Sequence, residues 1–239
     1  IMNCILWEET LNRLDAKMFK SGNIIKILSG TFNEKFNNCL VSNLELLEEA
    51  KAGLEPDEIN ERFQYILSKV EKLSDAKLKE FVSGLLFEYE EQFKYAPAAK
   101  LMHHNYLGGL LQHTSECVEI ADNFINTFAT KVDKDTVIAA CVLHDFGKIF
   151  EYKLDEETGL IEYNEDFKKE WISHSQWGYT KCMAQGFKTI AKMIATHHGR
   201  LEWGAMVDLN EKDLEPILYI VHHVDDMSAK FGKISVSDL

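Results

Sequence analysis

Nine histidines punctuate the chain, and several fall where helix ends are expected: His113 near the start of one helix, His144 near the end of the next and followed at once by Asp145. The arrangement recurs, with His174 opening a helix and His197 and His198 closing the one after it, and Asp225 lies inside a final long helix. In an antiparallel pair the start of one helix and the end of the next share one end. Two such pairs and a further helix can therefore bring imidazoles and carboxylates together at one end of a bundle. That donor set suits a first-row divalent metal, whether manganese, iron, cobalt, nickel or zinc, and the order of affinities among them does not choose one. His113, His144, Asp145, His174, His197, His198 and Asp225 are too many for a single ion and enough for two bridged by Asp145. Two ions roughly 3.5 to 4 Å apart would hold a bridging hydroxide nucleophile and bind phosphoryl oxygens for in-line displacement. Lys148 stands one turn past His144, where its ammonium could neutralise a non-bridging phosphate oxygen and assist catalysis beside Asp145. The chemistry this pattern implies is phosphate-ester hydrolysis.

Plainer readings compete residue by residue. A lone histidine is more often a surface or hydrogen-bonded structural group than a ligand, so the case rests on joint placement. Adjacent side chains on a helix differ by about 100°, so at most one of His103 and His104, and one of His222 and His223, is expected to face the pocket. Of the first pair His104 is placed with Lys148, Arg200 and Trp203 as substrate-binding, and the second pair is left unassigned. Lys148 could equally complement a helix C-terminus. Arg200 and Trp203, just past the His-His pair, could contact a backbone phosphate and stack a base, or form an ordinary exposed loop. Cys117 and Cys141 read as core packing, and Asp155 to Glu157 as a solvated hairpin tip.

The elements needed to position these groups can be read from periodicity. Residues 1–50 carry short β-prone runs at Cys4–Trp7, Asn23–Leu28 and Cys39–Leu46, broken at Ser21-Gly22, Ser29-Gly30 and Asn33–Asn38. From Pro56 the pattern turns helical, with Ile59, Phe63, Ile66, Leu67 and Val70 at helical spacing. Ser74 is expected to cap a second helix running to about Phe93, and 96–104 to form a short one. Gly108-Gly109 precedes a helix bearing His113, and Asp133 caps the helix that ends in His-Asp near Gly147. A β-hairpin is expected over 151–164 around Glu157-Thr158-Gly159, then helices over 174–185, 187–198 and 213–231. The fold class is mainly α: a helical bundle with a small hairpin, preceded by a short β-rich segment. The expected division is a β segment at 1–50, a helical connector at 51–95, and the site-bearing domain at 96–239, on which the connector packs.

Composition bounds the rest. With 239 residues, 46% of them apolar, the chain can bury a real core. Its net charge of −13 repels polyanions at long range, although bound divalent cations would invert the field inside a pocket. Five cysteines with no CxxC pair argue against a disulfide framework and fit a reducing cytoplasm. No run approaches the roughly 18 to 20 apolar residues of a membrane helix, and Glu8, Glu9 and Arg13 leave no secretory signal in view.

Longer segments make the pattern specific. HHNYLGGLLQHT (103–114), LHDFGK (143–148), SHSQWGY (173–179), THHGRLEWG (196–204) and HHVDDMSAK (222–230) resemble the HD-domain phosphohydrolases, within them the YhaM-type 3′-to-5′ exoribonuclease branch. The resemblance covers about 95–231. It implies an all-helical HD domain with His113, His144, Asp145 and Asp225 as core ligands. It also implies a second ion at His174, His197 and His198, a phosphate contact at Lys148, and manganese or cobalt as activator. The substrate it implies is a phosphate ester, single-stranded RNA or nucleotides. An OB-fold precedes the HD domain in that branch, whereas residues 1–50 supply about three of the roughly five strands such a barrel needs. An open edge would result unless another chain completes it, which leaves a homo-oligomer open. Ser228 stands where the branch usually has an acidic residue, a change expected to act beside the ligands rather than among them. The leading expectation is a 3′-to-5′ exoribonuclease or related phosphodiesterase. A nucleotide phosphomonoesterase is the enzymatic alternative, favoured somewhat by the acidic surface. A non-catalytic binding module is a third reading, against which the intact ligand set argues.

Overall fold

Apolar and β-branched residues in the first fifty positions build a small sheet, and the helical periodicity beyond Pro56 builds a set of helices interrupted by one short hairpin. A computed structural model describes residues 3–14, 18, 23–48, 53–100, 103–127, 132–154, 161–170 and 172–231. The chain divides into two compact units, the first holding the residues up to Ala52 and the second running from Gly53 to Leu154 and onward from Ile161.

In the first unit β1 (Asn3–Leu6) and β2 (Ile24–Asn33) flank β3 (Asn38–Glu48), with α1 (Glu8–Leu11) between β1 and β2. β1 runs parallel and β2 antiparallel to β3. Cys39, Val41 and Leu44 form its buried centre. Ser29-Gly30, expected as a break, lies inside β2 at an irregularity in register. A Cβ on Gly30 would stand 2.8 Å from the Leu40 carbonyl oxygen, so glycine serves close approach of the strands rather than a turn. Ser21-Gly22 lies outside the described residues.

The second unit opens with α2 (Pro56–Val70), where Pro56 sits in the first turn and Ile59, Phe63, Ile66, Leu67 and Val70 are buried. α3 (Ala76–Glu88) is capped by Asp75, whose carboxylate accepts from the Leu78 N–H at 3.0 Å. Ser74, the expected cap, instead donates its hydroxyl to Asp135 at 2.6 Å. Tyr89, at φ −117° and ψ 28°, separates α3 from α4 (Glu90–Tyr95), so the single helix expected to Phe93 is two. The helix expected at 96–104 is absent from its described part. Pro97 bars helical geometry at the residue before it, and Ala96 is extended at ψ 144°.

The remaining elements are α5 (Gly109–Thr127), α6 (Lys134–Leu143), α7 (Lys148–Glu151), β4 (Tyr152–Leu154), β5 (Ile161–Tyr163), α8 (Glu165–Lys169), α9 (His174–Gln185), α10 (Lys188–Thr196) and α11 (Leu218–Phe231). β4 and β5 pair antiparallel as the expected hairpin, and its turn and acidic tip lie outside the described residues. α11 starts later than the expected 213, because Asp213 is left-handed at φ 63°. Among the described residues no helix is long and apolar enough to cross a membrane.

One buried cluster joins α2, α3 and α4 to α5, α6, α9, α10 and α11. Phe146, immediately after Asp145, is fully buried and stacked between Phe93 at 5.2 Å and Trp177 at 5.7 Å, centroid to centroid. This ring holds the turn after α6 against α4 and α9. Phe146→Ala is expected to cost about 3–5 kcal/mol in chemical denaturation. A loss under about 1 kcal/mol would show that the turn is held by other means.

Candidate metal centre

α6 ends at Leu143 and the chain turns at His144-Asp145 before α7 begins, so a histidine and a carboxylate emerge together at a buried helix end. His144 Nδ1 lies 2.8 Å from the Cys141 carbonyl, and His197 Nδ1 lies 2.7 Å from that of Ile194. A carbonyl only accepts, so both rings donate from Nδ1 and turn a bare Nε2 inward. His174, at the start of α9, gives Nδ1 to the Glu151 carboxylate at 2.5 Å. On α5, His113 Nδ1 lies 2.9 Å from Ser228 Oγ, whose hydroxyl is already donated to Glu116 at 2.7 Å. Ser228 therefore accepts from His113 and fixes the same orientation.

The four Nε2 atoms surround one carboxylate. Asp145 Oδ2 lies 3.4 Å from His113, 3.6 Å from His144 and 2.6 Å from Lys148 Nζ. Its other oxygen lies 3.4 Å from His174 and 3.5 Å from His197. Asp225 joins the first side at 3.3 Å from His113, and His198 the second, with Nε2 at 3.2 Å from that of His174. Gly147 permits the approach of α9, since a Cβ there would lie 2.8 Å from the His174 Cα.

Buried lone pairs that face one another call for a cation between them. Asp145 Oδ1, His197 Nε2 and His198 Nδ1 are all buried without a hydrogen-bond partner, and Asp145, His174, His197 and His198 offer donor atoms within 4.8 Å of one another. His113 and His144, with their Nε2 atoms 3.2 Å apart, form the facing pair. Oxygen and imidazole donors in this number and this burial fit divalent metal ions.

The charges agree. Burial opposes ionisation of Asp145, but Lys148 and then His144 hold its carboxyl well below the usual range. Burial would lower Lys148, and Asp145 outweighs it. Burial pushes His144 down to about 4, keeping it neutral. For His113 burial is outweighed by Cys117 and by the Asp145 and Asp225 carboxylates, which raise it.

The structure gathers His113, His144, Asp145, His174, His197, His198, Asp225 and Lys148 around one point. It does not bring the other three predicted residues to Asp145 in the same way. His104 turns Nε2 toward Glu116 at 3.2 Å, behind His113. Arg200 and Trp203 occupy an exposed turn, the guanidinium 5.1 Å above the indole. Sequence reasoning missed Glu116 and Glu151. The signal was available, since each lies three residues past a site residue, His113 and Lys148, on the same helical face. Ser228→Ala and Glu116→Gln are expected to weaken divalent-metal affinity about 10- to 100-fold in a chelator-competition titration. Affinity unchanged in both would show that His113 needs no outer support.

Residues 110–230, about half the chain, match the HD domain family. The 3′-5′ exoribonuclease YhaM of Geobacillus sp. (strain WCH70) is 22% identical over 246 residues, an alignment spanning 96% of this chain and 72% of that protein. The protein of the same name from Oceanobacillus iheyensis is 22% identical over 229 residues, spanning 92% of this chain and 67% of that one. No solved structure matches the chain. With the family match laid over the buried cluster at His144-Asp145, the chain belongs to the HD domain family and is a hydrolytic, metal-dependent enzyme.

Proposed function

We propose that this enzyme is a 3′-to-5′ exoribonuclease or closely related phosphodiesterase of the cytoplasm, working with two divalent ions, manganese, cobalt or iron before zinc or nickel. One observation carries the reading: the two oxygens of Asp145 face separate sets of donors. His113, His144 and Asp225 would hold one ion with Oδ2, and His174, His197 and His198 the other with Oδ1. Ions held there would supply Lewis-acid polarisation of a phosphoryl group and a water acidic enough to ionise near neutral pH.

The chain's own groups do the positioning. Lys148 brings an ammonium within 2.6 Å of Asp145 Oδ2, where an incoming phosphate oxygen can share it. Glu151 and the Glu116–Ser228 pair fix the imidazoles of His174 and His113. Arg200 and Trp203 present an exposed guanidinium on an indole, a combination suited to the phosphate and base of a single strand, with His104 held behind. The names of the two relatives support RNA as substrate. The first unit reads as a partial OB-like segment, and α2 to α4 as a connector that shares the HD core. Five unpaired cysteines support a reducing compartment.

The net charge of −13 favours a second reading, a phosphomonoesterase acting on mononucleotides. Manganese-loaded protein incubated with 5′-end-labelled single-stranded RNA is expected to shorten it stepwise from the 3′ end, releasing mononucleotides. Asp145→Asn should lower that rate at least about 1,000-fold. Phosphate release from mononucleotides with intact RNA would establish the second reading instead.

A further inference from the structure

A second group of side chains lies on the hairpin that leaves the metal centre. α7 ends at Glu151, whose carboxylate holds His174, and the next residue, Tyr152, opens β4. The strand is thus tied to the site through the chain and through that hydrogen bond. Tyr152 stands opposite Tyr163 in the ladder, their rings 5.4 Å apart and inclined by 40°. Burial, reinforced by Glu151, Tyr163 and Asp145, raises the Tyr152 hydroxyl, so it stays neutral and places its ring within the field of the site carboxylates.

Tyr163 differs from Tyr152 in being 45% exposed, and Lys100 Nζ stands 5.3 Å from its ring centroid. Lys69, Lys94, Lys134, Lys148, Lys192 and Lys230 each pair with a carboxylate. Among the described residues Lys100 has no such partner, only the ring, as Lys35 has that of Phe36 and Lys181 that of Trp177; the ring beside Lys100 is the one on the hairpin that follows Glu151. In a chain of net charge −13, a lysine left without a carboxylate beside an exposed aromatic is set to meet an anion from outside. An aromatic face with an adjacent cation is the arrangement that takes a nucleobase and its phosphate, because every base has a π-face and every linkage one negative charge.

We propose that Tyr163 and Lys100 form a nucleotide subsite beside the metal centre, taking the base and phosphate of a neighbouring nucleotide on an oligonucleotide substrate. This rests on the phosphodiesterase reading. It assigns the hairpin the task of favouring chains over dinucleotides, with Tyr152 buttressing the Tyr163 ring.

The test compares a single-stranded RNA pentanucleotide with a dinucleotide, using manganese-loaded protein and the variants Tyr163→Ala, Tyr163→Phe and Lys100→Gln. Tyr163→Ala is expected to lower the ratio of kcat/KM for the pentanucleotide to that for the dinucleotide about tenfold, and Tyr163→Phe to keep most of it. Lys100→Gln should flatten the salt dependence of the pentanucleotide KM. An unchanged ratio in Tyr163→Ala, or equal losses on both substrates, overturns the proposal. Binding of the fluorescent pentanucleotide, followed by anisotropy, separates the two layers. If the wild type binds but does not cleave, and Tyr163→Ala weakens binding about tenfold, the phosphodiesterase reading falls and the subsite stands. If the wild type cleaves and Tyr163→Ala binds equally well, the subsite falls alone.

Discussion

Asp145 is 2% exposed, and the rest of the site is arranged around the cost of keeping its carboxylate ionised there. A buried anion without compensation loses several kcal/mol of hydration, so its neighbours must be cationic, polar or metal-binding. Lys148 supplies one fixed charge, and the imidazoles supply donors whose proton affinity is tuned in opposite directions, down at His144 by burial and, against burial, up at His113 by Cys117 and the Asp145 and Asp225 carboxylates. Placing so many groups around one carboxylate requires several helices to end or cross at the same level. α5, α6, α9 and α10 do this with their termini or inner turns, and α11 with Asp225 and Ser228.

That convergence makes the packing beneath the site part of its chemistry. Phe146 comes directly after Asp145 in the chain and is clamped between Phe93 and Trp177, so the backbone that carries the carboxylate cannot shift without disturbing a fully buried ring. Interiors packed this densely transmit small displacements. A site that needs its donors within a few tenths of an ångström gains from being seated directly on an aromatic stack. The helices α2 to α4 contribute Phe93 and much of the surrounding core, so the part of the chain before the HD match takes part in positioning the residues inside it.

How much of this was legible in the sequence depended on the range of the interaction concerned. Ile59, Phe63 and Val70 announced α2 because burial on one helix face is a local periodic property. His113, His144, His174, His197 and His198 could be paired because antiparallel helices bring ends together by connectivity alone. Local competition was harder to see. Asp75 rather than Ser74 caps α3 because Asp135, some sixty residues away, takes the Ser74 hydroxyl. Pro97 should have excluded a helix through Ala96 from the start, since its constraint is local. Ser228 stood out as a departure from an acidic pattern, but its partner could not be found without the structure. The hydroxyl links Glu116 on α5 to His113 on the same helix by way of α11.

The acidity of the chain and the needs of its site pull in opposite directions, and the structure resolves the conflict by distance. Over the molecule as a whole, a net charge of −13 opposes any polyanion, but at 0.15 M salt that repulsion fades over about 8 Å. Within that range the local inventory counts instead. Several basic side chains are committed to carboxylates, Lys69, Lys94, Lys134, Lys192 and Lys230 among them. Lys148 is held inside the cluster, Arg200 lies on the exposed indole of Trp203 with Glu202 3.7 Å away, and Lys100 lies beside the exposed ring of Tyr163. An aromatic partner carries no opposite charge, so the ring restrains the position of Lys100 without pairing it. An acidic protein can in this way remain repulsive to polyanions at long range and still offer oriented positive charge at the few points where a single phosphate must be held.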